Sequence, residues 1–195
     1  MSRHIETIIQ IVGWFLKLNN NSMNYTKLIK LMYIADKQAL ECYNYSISND
    51  DIFSMKNGPV LSNTYDLIKH TGENVNIPGL KEWNKYFTKT GYELSFIESN
   101  KYEVDKILSD DVLWLSDADI EIIEAVYAQY KDYTYSAMID LIHDEKLFPE
   151  VMWKKAGIYS TCIPMDFITL MKSLNKSDDT IREFLNMSGR SITDD

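Results

Sequence analysis

Three histidines, the aspartate doublets at 50–51 and 110–111 and two cysteines are the side chains of this sequence with the readiest chemistry. His4, His70 and His143 could hold a metal or move protons, yet they stand in three separate stretches, so a metal site needs three elements to converge. His143-Asp144-Glu145 cannot supply one alone, because adjacent helical residues point in different directions. Asp50-Asp51 and Asp110-Asp111 invite paired-carboxylate acid–base work. Both doublets fall where turns are expected, and aspartate in a turn bonds its own local backbone, so they are read as solvated turn residues. Cys42 and Cys162 belong to no CxxC or zinc-type spacing and read as buried, reduced thiols. The sequence contains no GxxxxGK[ST], no strand followed by GxGxxG, no GxSxG and no HExxH. No catalytic set, metal or cofactor is therefore predicted. His143, late in its expected helix, is read as a cap or core-edge residue, with acid–base work beside a carboxylate as the rival reading.

Composition narrows the partner class. With 195 residues, 45% apolar and 25% charged, the chain matches an ordinary soluble globule, and one domain over 1–195 is expected. The stretch "ETIIQIVGWFLKL" is helically periodic and lacks a small-residue cleavage site, so it reads as a core helix and the protein as cytoplasmic, without a membrane role. Net charge of −9, from 20 basic and 29 acidic residues, repels a phosphate backbone and suits a basic protein partner. Lys27, Lys30 and Lys37 could form a local basic patch and are read as an ordinary solvated face.

The positioning elements follow from periodicity and punctuation. Ile5, Ile8, Ile9, Val12, Phe15 and Leu16 recur at helical spacing over about 3–18. After "NNNS", Asn24 or Ser22 can cap a second helix whose Leu28, Leu31, Met32, Ala35, Ala39 and Cys42 form its apolar face up to Tyr43, and the two helices should pair antiparallel. Ile52, Phe53 and Met55 give a short extended piece, and Gly58-Pro59 bends the chain into a third helix carrying Val60, Leu61, Tyr65 and Ile68. Alternation at Tyr92, Leu94 and Phe96, and again at Tyr102 and Val104, predicts a small antiparallel β-meander. Ser116, Thr134 and Ser177 read as caps of three later helices, and a further short helix follows Pro164. The fold class is α+β, mainly α-helical: a helical bundle with that meander.

Two stretches together resemble the Panacea family, the SocA-like antitoxin domains of bacteria and phages. "YTKLIKLMYIADKQAL" is similar to the family's K-L-x-K-L-x-Y-x-A signature through Lys27, Leu28, Lys30, Leu31, Tyr33 and Ala35. "DDIFSMKNGPVLSNTY" is similar to its D-x-I-x-A-W-x-x-GPV-x-x-x-Y through Asp50, Ile52, Gly58, Pro59, Val60 and Tyr65, with Met55 where the family has a Trp or another large residue. "LIHDEKLFPEVMWKKA" resembles a family segment in which a His precedes a Pro, a Trp and an Ala. The resemblance spans about 5–160, leaving 164–188 as a C-terminal helical extension. It implies a non-enzymatic antitoxin that binds a cognate, co-encoded toxin protein. Tyr33, Met55, Lys56, Gly58, Pro59, Tyr65, His143 and Trp153 are the candidate partner-binding or groove residues. The rival functions are a proteolytic adapter or phage regulatory protein binding host factors, and an enzyme using His143; a homodimer stays open.

Overall fold

A computed structural model describes residues 3–109, 114–159 and 162–190. Helix α1 (Arg3–Leu18) buries the predicted stripe Ile5, Ile8, Ile9, Val12, Phe15 and Leu16. Each such side chain contributes roughly 1.5–3 kcal/mol on leaving water. Asn20 and Asn21 then take positive φ, which asparagine tolerates, and break the helix. Strand β1 (Ser22–Asn24) follows, then α2 (Tyr25–Tyr43). Of the two foreseen caps Asn24 does the work, accepting from the Thr26 and Lys27 amides, while Ser22 lies in the strand.

Helix α2 buries Leu28, Leu31, Met32, Ala35 and Ala39 as expected. Cys42 is exposed, because the buried part of α2 ends two residues earlier at Leu40; Cys162 is exposed as well, so both thiols depart from the buried reading.

Strands β2 (Ile52–Met55) and β3 (Gly58–Leu61) form an antiparallel hairpin in which Met55 faces Gly58, leaving Lys56-Asn57 as its two-residue loop. Val60 and Leu61 are therefore strand residues, a correction to the third helix, which is α3 (Ser62–Lys69). An apolar pair after a proline fits either element; pairing of Leu61 with Ile52 decides for the strand. A short turn of helix, α4 (Leu80–Trp83), leads into β4 (Phe87–Thr90) and β5 (Glu93–Phe96).

The β4–β5 hairpin is the predicted meander's first half. Its third strand is β1, with Met23 opposite Leu94, while 101–107 forms helix α5 (Lys101–Ile107). The Tyr102/Val104 alternation was too short to exclude helix: Val104 and Leu108 also sit four apart and are both buried.

Helices α6 (Asp117–Tyr130) and α7 (Tyr135–Ile142) begin at their expected caps, Ser116 with a reciprocal Asp119 bond and Thr134. Then come α8 (Trp153–Tyr159), β6 (Ile163–Met165), α9 (Phe167–Ser173) and α10 (Asp178–Ser188), the last capped by Ser177. Pro164 sits inside β6, an outer strand of the sheet ordered β3-β2-β6, where a missing N–H is tolerated. The helix foreseen directly after Pro164 starts at Phe167, capped by Asp166. The class is α+β and mainly helical, with two antiparallel three-stranded sheets. Buried apolar side chains from α1 through α10 pack into one cluster. Among the described residues no helix is long and apolar enough to cross a membrane.

Candidate functional site

Helix α2 carries charged residues on its inner side, and each fixes a remote segment. Lys27 donates to the Lys131 carbonyl at 2.6 Å, and Lys30 to the Pro59 carbonyl at 2.6 Å. Lys37 binds the Glu150 carboxylate at 2.7 Å and the Leu147 carbonyl at 3.0 Å, with its ammonium 4.5 Å over the Phe148 ring. The solvated-face reading of these lysines is overturned: Lys27 and Lys30 are buried, and the Lys37 side chain is mostly covered. Long apolar stems let lysine enter a core when a carbonyl or carboxylate meets its tip. Burial draws the Lys30 ammonium down to about 7. It also lowers Lys27, opposed by the charge of Asp132.

Asp36 completes the set. It accepts from the Ser48 amide at 2.9 Å and from the Ser48 hydroxyl, holding the loop that leads to β2. Burial raises its carboxyl to about 6, against the pull of those hydrogen bonds.

Asp50 likewise leaves the solvated-turn reading. Wholly buried, it accepts from the Asn63 amide and side chain at 3.0 and 2.8 Å, and from the Thr64 amide and hydroxyl at 2.9 and 2.8 Å. Asn63 and Thr64 are the second and third residues of α3, and Leu61, the residue before that helix, offers no side-chain acceptor. An aspartate at the foot of the hairpin thus caps the helix beyond it. Asp110-Asp111 lies outside the described residues.

These restraints hold the β2–β3 corner. Lys56 and Asn57 keep negative φ, and Gly58 takes φ +90°, so glycine closes the turn. A Cβ on Gly58 would lie 2.9 Å from Ile142 Cγ2 and 3.5 Å from Lys30 Cε. Only a bare backbone lets the corner sit between α7 and α2. Met55, Lys56, Gly58 and Tyr65 share a cleft of about 300 Å³ with Lys30; Met55 and Tyr65 are half-buried and Lys56 is exposed. Pro59 stands behind it, buried, its carbonyl taken by Lys30.

The 141–156 stretch meets the same corner from another direction. His143, the C-cap of α7, stacks on Trp153 with ring centroids 3.9 Å apart and planes 13° from parallel. Its pKa is lowered first by burial and further by the Lys30 charge, against a hydrogen bond to the Lys56 backbone and the charge of Asp140. Nε2 of His143 and Nε1 of Trp153 are both buried without a hydrogen-bond partner among the described residues. No carboxylate among the described residues bonds the His143 ring, so the acid–base pair of the enzymatic reading is not assembled. His70 instead bonds Glu73 at 2.8 Å on the surface. No three His, Cys, Asp or Glu among the described residues gather as a metal-binding group.

Tyr33 stands apart from the other candidates. It is fully buried, its hydroxyl bonded to Glu150, and burial with that carboxylate's charge raises its pKa well above the usual phenol value. It supports the site from inside. Glu150, whose side chain is fully covered, escaped the sequence reading, as did the cleft residues Tyr25, Lys69 and Tyr92. A lone Glu between Pro149 and Val151 was the available signal for a buried charge; the cleft residues come from three elements with no shared period.

A family model described as antitoxin SocA-like, Panacea domain, matches residues 28–148, more than half of the chain. The chain belongs to that family. The match takes in α2 from Leu28 onward, the corner, α7 and Phe148, and leaves α1, the first three residues of α2 and α8 to α10 outside. No curated protein and no solved structure matches.

Proposed function

We propose that this member of the SocA-like Panacea family is an antitoxin that neutralises a co-encoded toxin by direct contact through the β2–β3 corner. The observation that carries the reading is the family match over 28–148, which contains that corner and the α2 residues that fix it. Recognition without bond-making fits what the corner offers. Lys56 and the half-buried Met55 and Tyr65 sit on a backbone held by Gly58 and the Lys30–Pro59 bond. A surface already in its bound shape loses less conformational entropy on association.

The neighbouring reading frame should be toxic when expressed alone and harmless beside this protein, and the two should purify as one complex. An innocuous neighbour, or a toxin that the protein neither binds nor silences, would sink the proposal. His143→Ala should keep most of the protection, whereas an acid–base enzyme would lose all of it.

A further inference from the structure

Three lysines and three tyrosines meet in the corner cleft: Lys30, Lys56 and Lys69 with Tyr25, Tyr65 and Tyr92. Among the described residues no Asp or Glu lines it, and no carboxylate pairs with any of the three ammonium groups. In a chain of net charge −9 that local sign is an inversion. Lys56 and Lys69 are exposed and solvated, whereas Lys30 is buried, with the Pro59 carbonyl as its one hydrogen-bond partner among the described residues. An ammonium has three donors, and burying it without a counter-charge costs several kcal/mol. The walls are flat and apolar: Tyr25 and Tyr92 rings lie 5.5 Å apart at 28°, and the Lys69 ammonium is 5.8 Å from the Tyr65 ring centre.

We propose that this cleft is a binding site for an oxyanion, a carboxylate or a phosphate, carried on a flat apolar group. Lys56 and Lys69 capture the charge at the mouth, Lys30 supplies the buried positive end, and the tyrosine rings take the flat portion. The volume of about 300 Å³ is at the small end of ligand sites and suits one ring with one anionic group. The site stands whether the anion belongs to a partner's side chain or to a free small molecule, and so goes beyond toxin neutralisation.

An anion beside Lys30 favours its protonated form and opposes the burial that draws it to about 7. Binding therefore takes up a proton and weakens as pH rises. The titratable groups that share the cleft with Lys30 are Lys56, Lys69, Tyr25, Tyr65 and Tyr92, and the Lys30 charge also disfavours a protonated His143.

The test is amide NMR of the whole protein at fixed ionic strength and about pH 6.5, titrated with phenyl phosphate, phenylacetate and uncharged benzyl alcohol. At least one anion should give saturable shifts at Thr26, Asn57 and Gly58, which line the cleft. Lys56→Gln with Lys69→Gln should weaken that binding by about tenfold or more, and the Arg pair should keep it within about threefold. Tighter phenyl phosphate identifies a phosphorylated ligand and tighter phenylacetate a carboxylate; either supports the site.

Three results overturn it: no saturation by about 20 mM of either anion, benzyl alcohol shifting the same amides equally, or the double Gln variant matching wild type. Phenylacetate keeps its charge between about pH 6 and 9, so its affinity should fall across that range, and a flat profile would remove Lys30 from the site. Failure to protect cells from a toxin would leave this titration untouched, so the two proposals fail separately.

Discussion

The inner side of α2 and the cleft at the β2–β3 corner are both rich in lysine, and they treat it oppositely. Lys27 and Lys37 end on acceptors of their own chain, a carbonyl for the first and a carboxylate with a carbonyl for the second. Lys56 and Lys69 end on no acceptor among the described residues, and beside Lys56 the stacked His143 and Trp153 rings each bury a nitrogen that has no partner there. Lys30 belongs to both regions, bonded to Pro59 yet lining the cleft. Polar groups satisfied within the chain specify the fold, and donors left over specify what must arrive from outside. The signature that marks the family on α2 is thus mostly scaffold, and the surface it positions is read from the groups the scaffold leaves unmatched.

Breaking the scaffold should have the largest effect. Gly58→Ala adds a Cβ 2.9 Å from Ile142 at φ +90°, so it combines a left-handed penalty with overpacking, about 2–4 kcal/mol together. Urea unfolding measures it; a loss under about 0.5 kcal/mol would mean the corner relaxes freely and is no rigid mount. Glu150→Ala comes next, at about 2–3 kcal/mol, because it strands the Tyr33 hydroxyl and takes the counter-charge from Lys37, which keeps the Leu147 carbonyl. Tyr33→Phe made in the Glu150→Ala background should then cost little more, since the pair shares one hydrogen bond. Additive losses would place their roles elsewhere.

How much of this was legible tracks the same division. Helix α1, the Asn24, Ser116, Thr134 and Ser177 caps and the β4–β5 hairpin follow from local periodicity and local hydrogen bonds, which a sequence displays directly. The sheet built from β2, β3 and β6 was missed because its third strand arrives more than a hundred residues later and carries a proline. Lys27, Lys30 and Lys37 misled for a related reason. Charge in a sequence reads as solvation, and only a distant carbonyl or carboxylate reveals burial. At the site, the Gly58-Pro59 bend and its neighbours were legible as one stretch. That Tyr25, Lys69 and Tyr92 would join them was not, because β1 and β5 pair across some seventy residues to bring Tyr92 to Tyr25.

Lys30 sharpens the comparison through pH. The unfolded chain holds this proton up to about 10.5, whereas the folded chain releases it near 7. Between those values the unfolded state binds more protons, so the Lys30 contribution to stability rises with pH, by at most about 1.4 kcal/mol per unit. Below pH 7 both states are protonated and the full burial cost is present. Lys30→Met should remove that rise, so the stability difference between variant and wild type should shift steadily from pH 7 to 9. Parallel profiles would mean that Lys30 stays charged in the folded protein and already has a counter-ion.

The smallest effect is expected where the proposed function lies. Lys56 and Lys69 are exposed, bond no carboxylate among the described residues and share their cleft with a third cation, so Lys56→Gln with Lys69→Gln relieves repulsion there while removing only the Lys69 contact with the Tyr65 ring and its favourable place in the last turn of α3. Stability should change by less than about 0.5 kcal/mol in either direction. A variant destabilised by more than about 1 kcal/mol would mean that the two lysines are satisfied within the chain as Lys37 is. The contrast between a self-satisfied helix and a cleft awaiting an anion would then collapse.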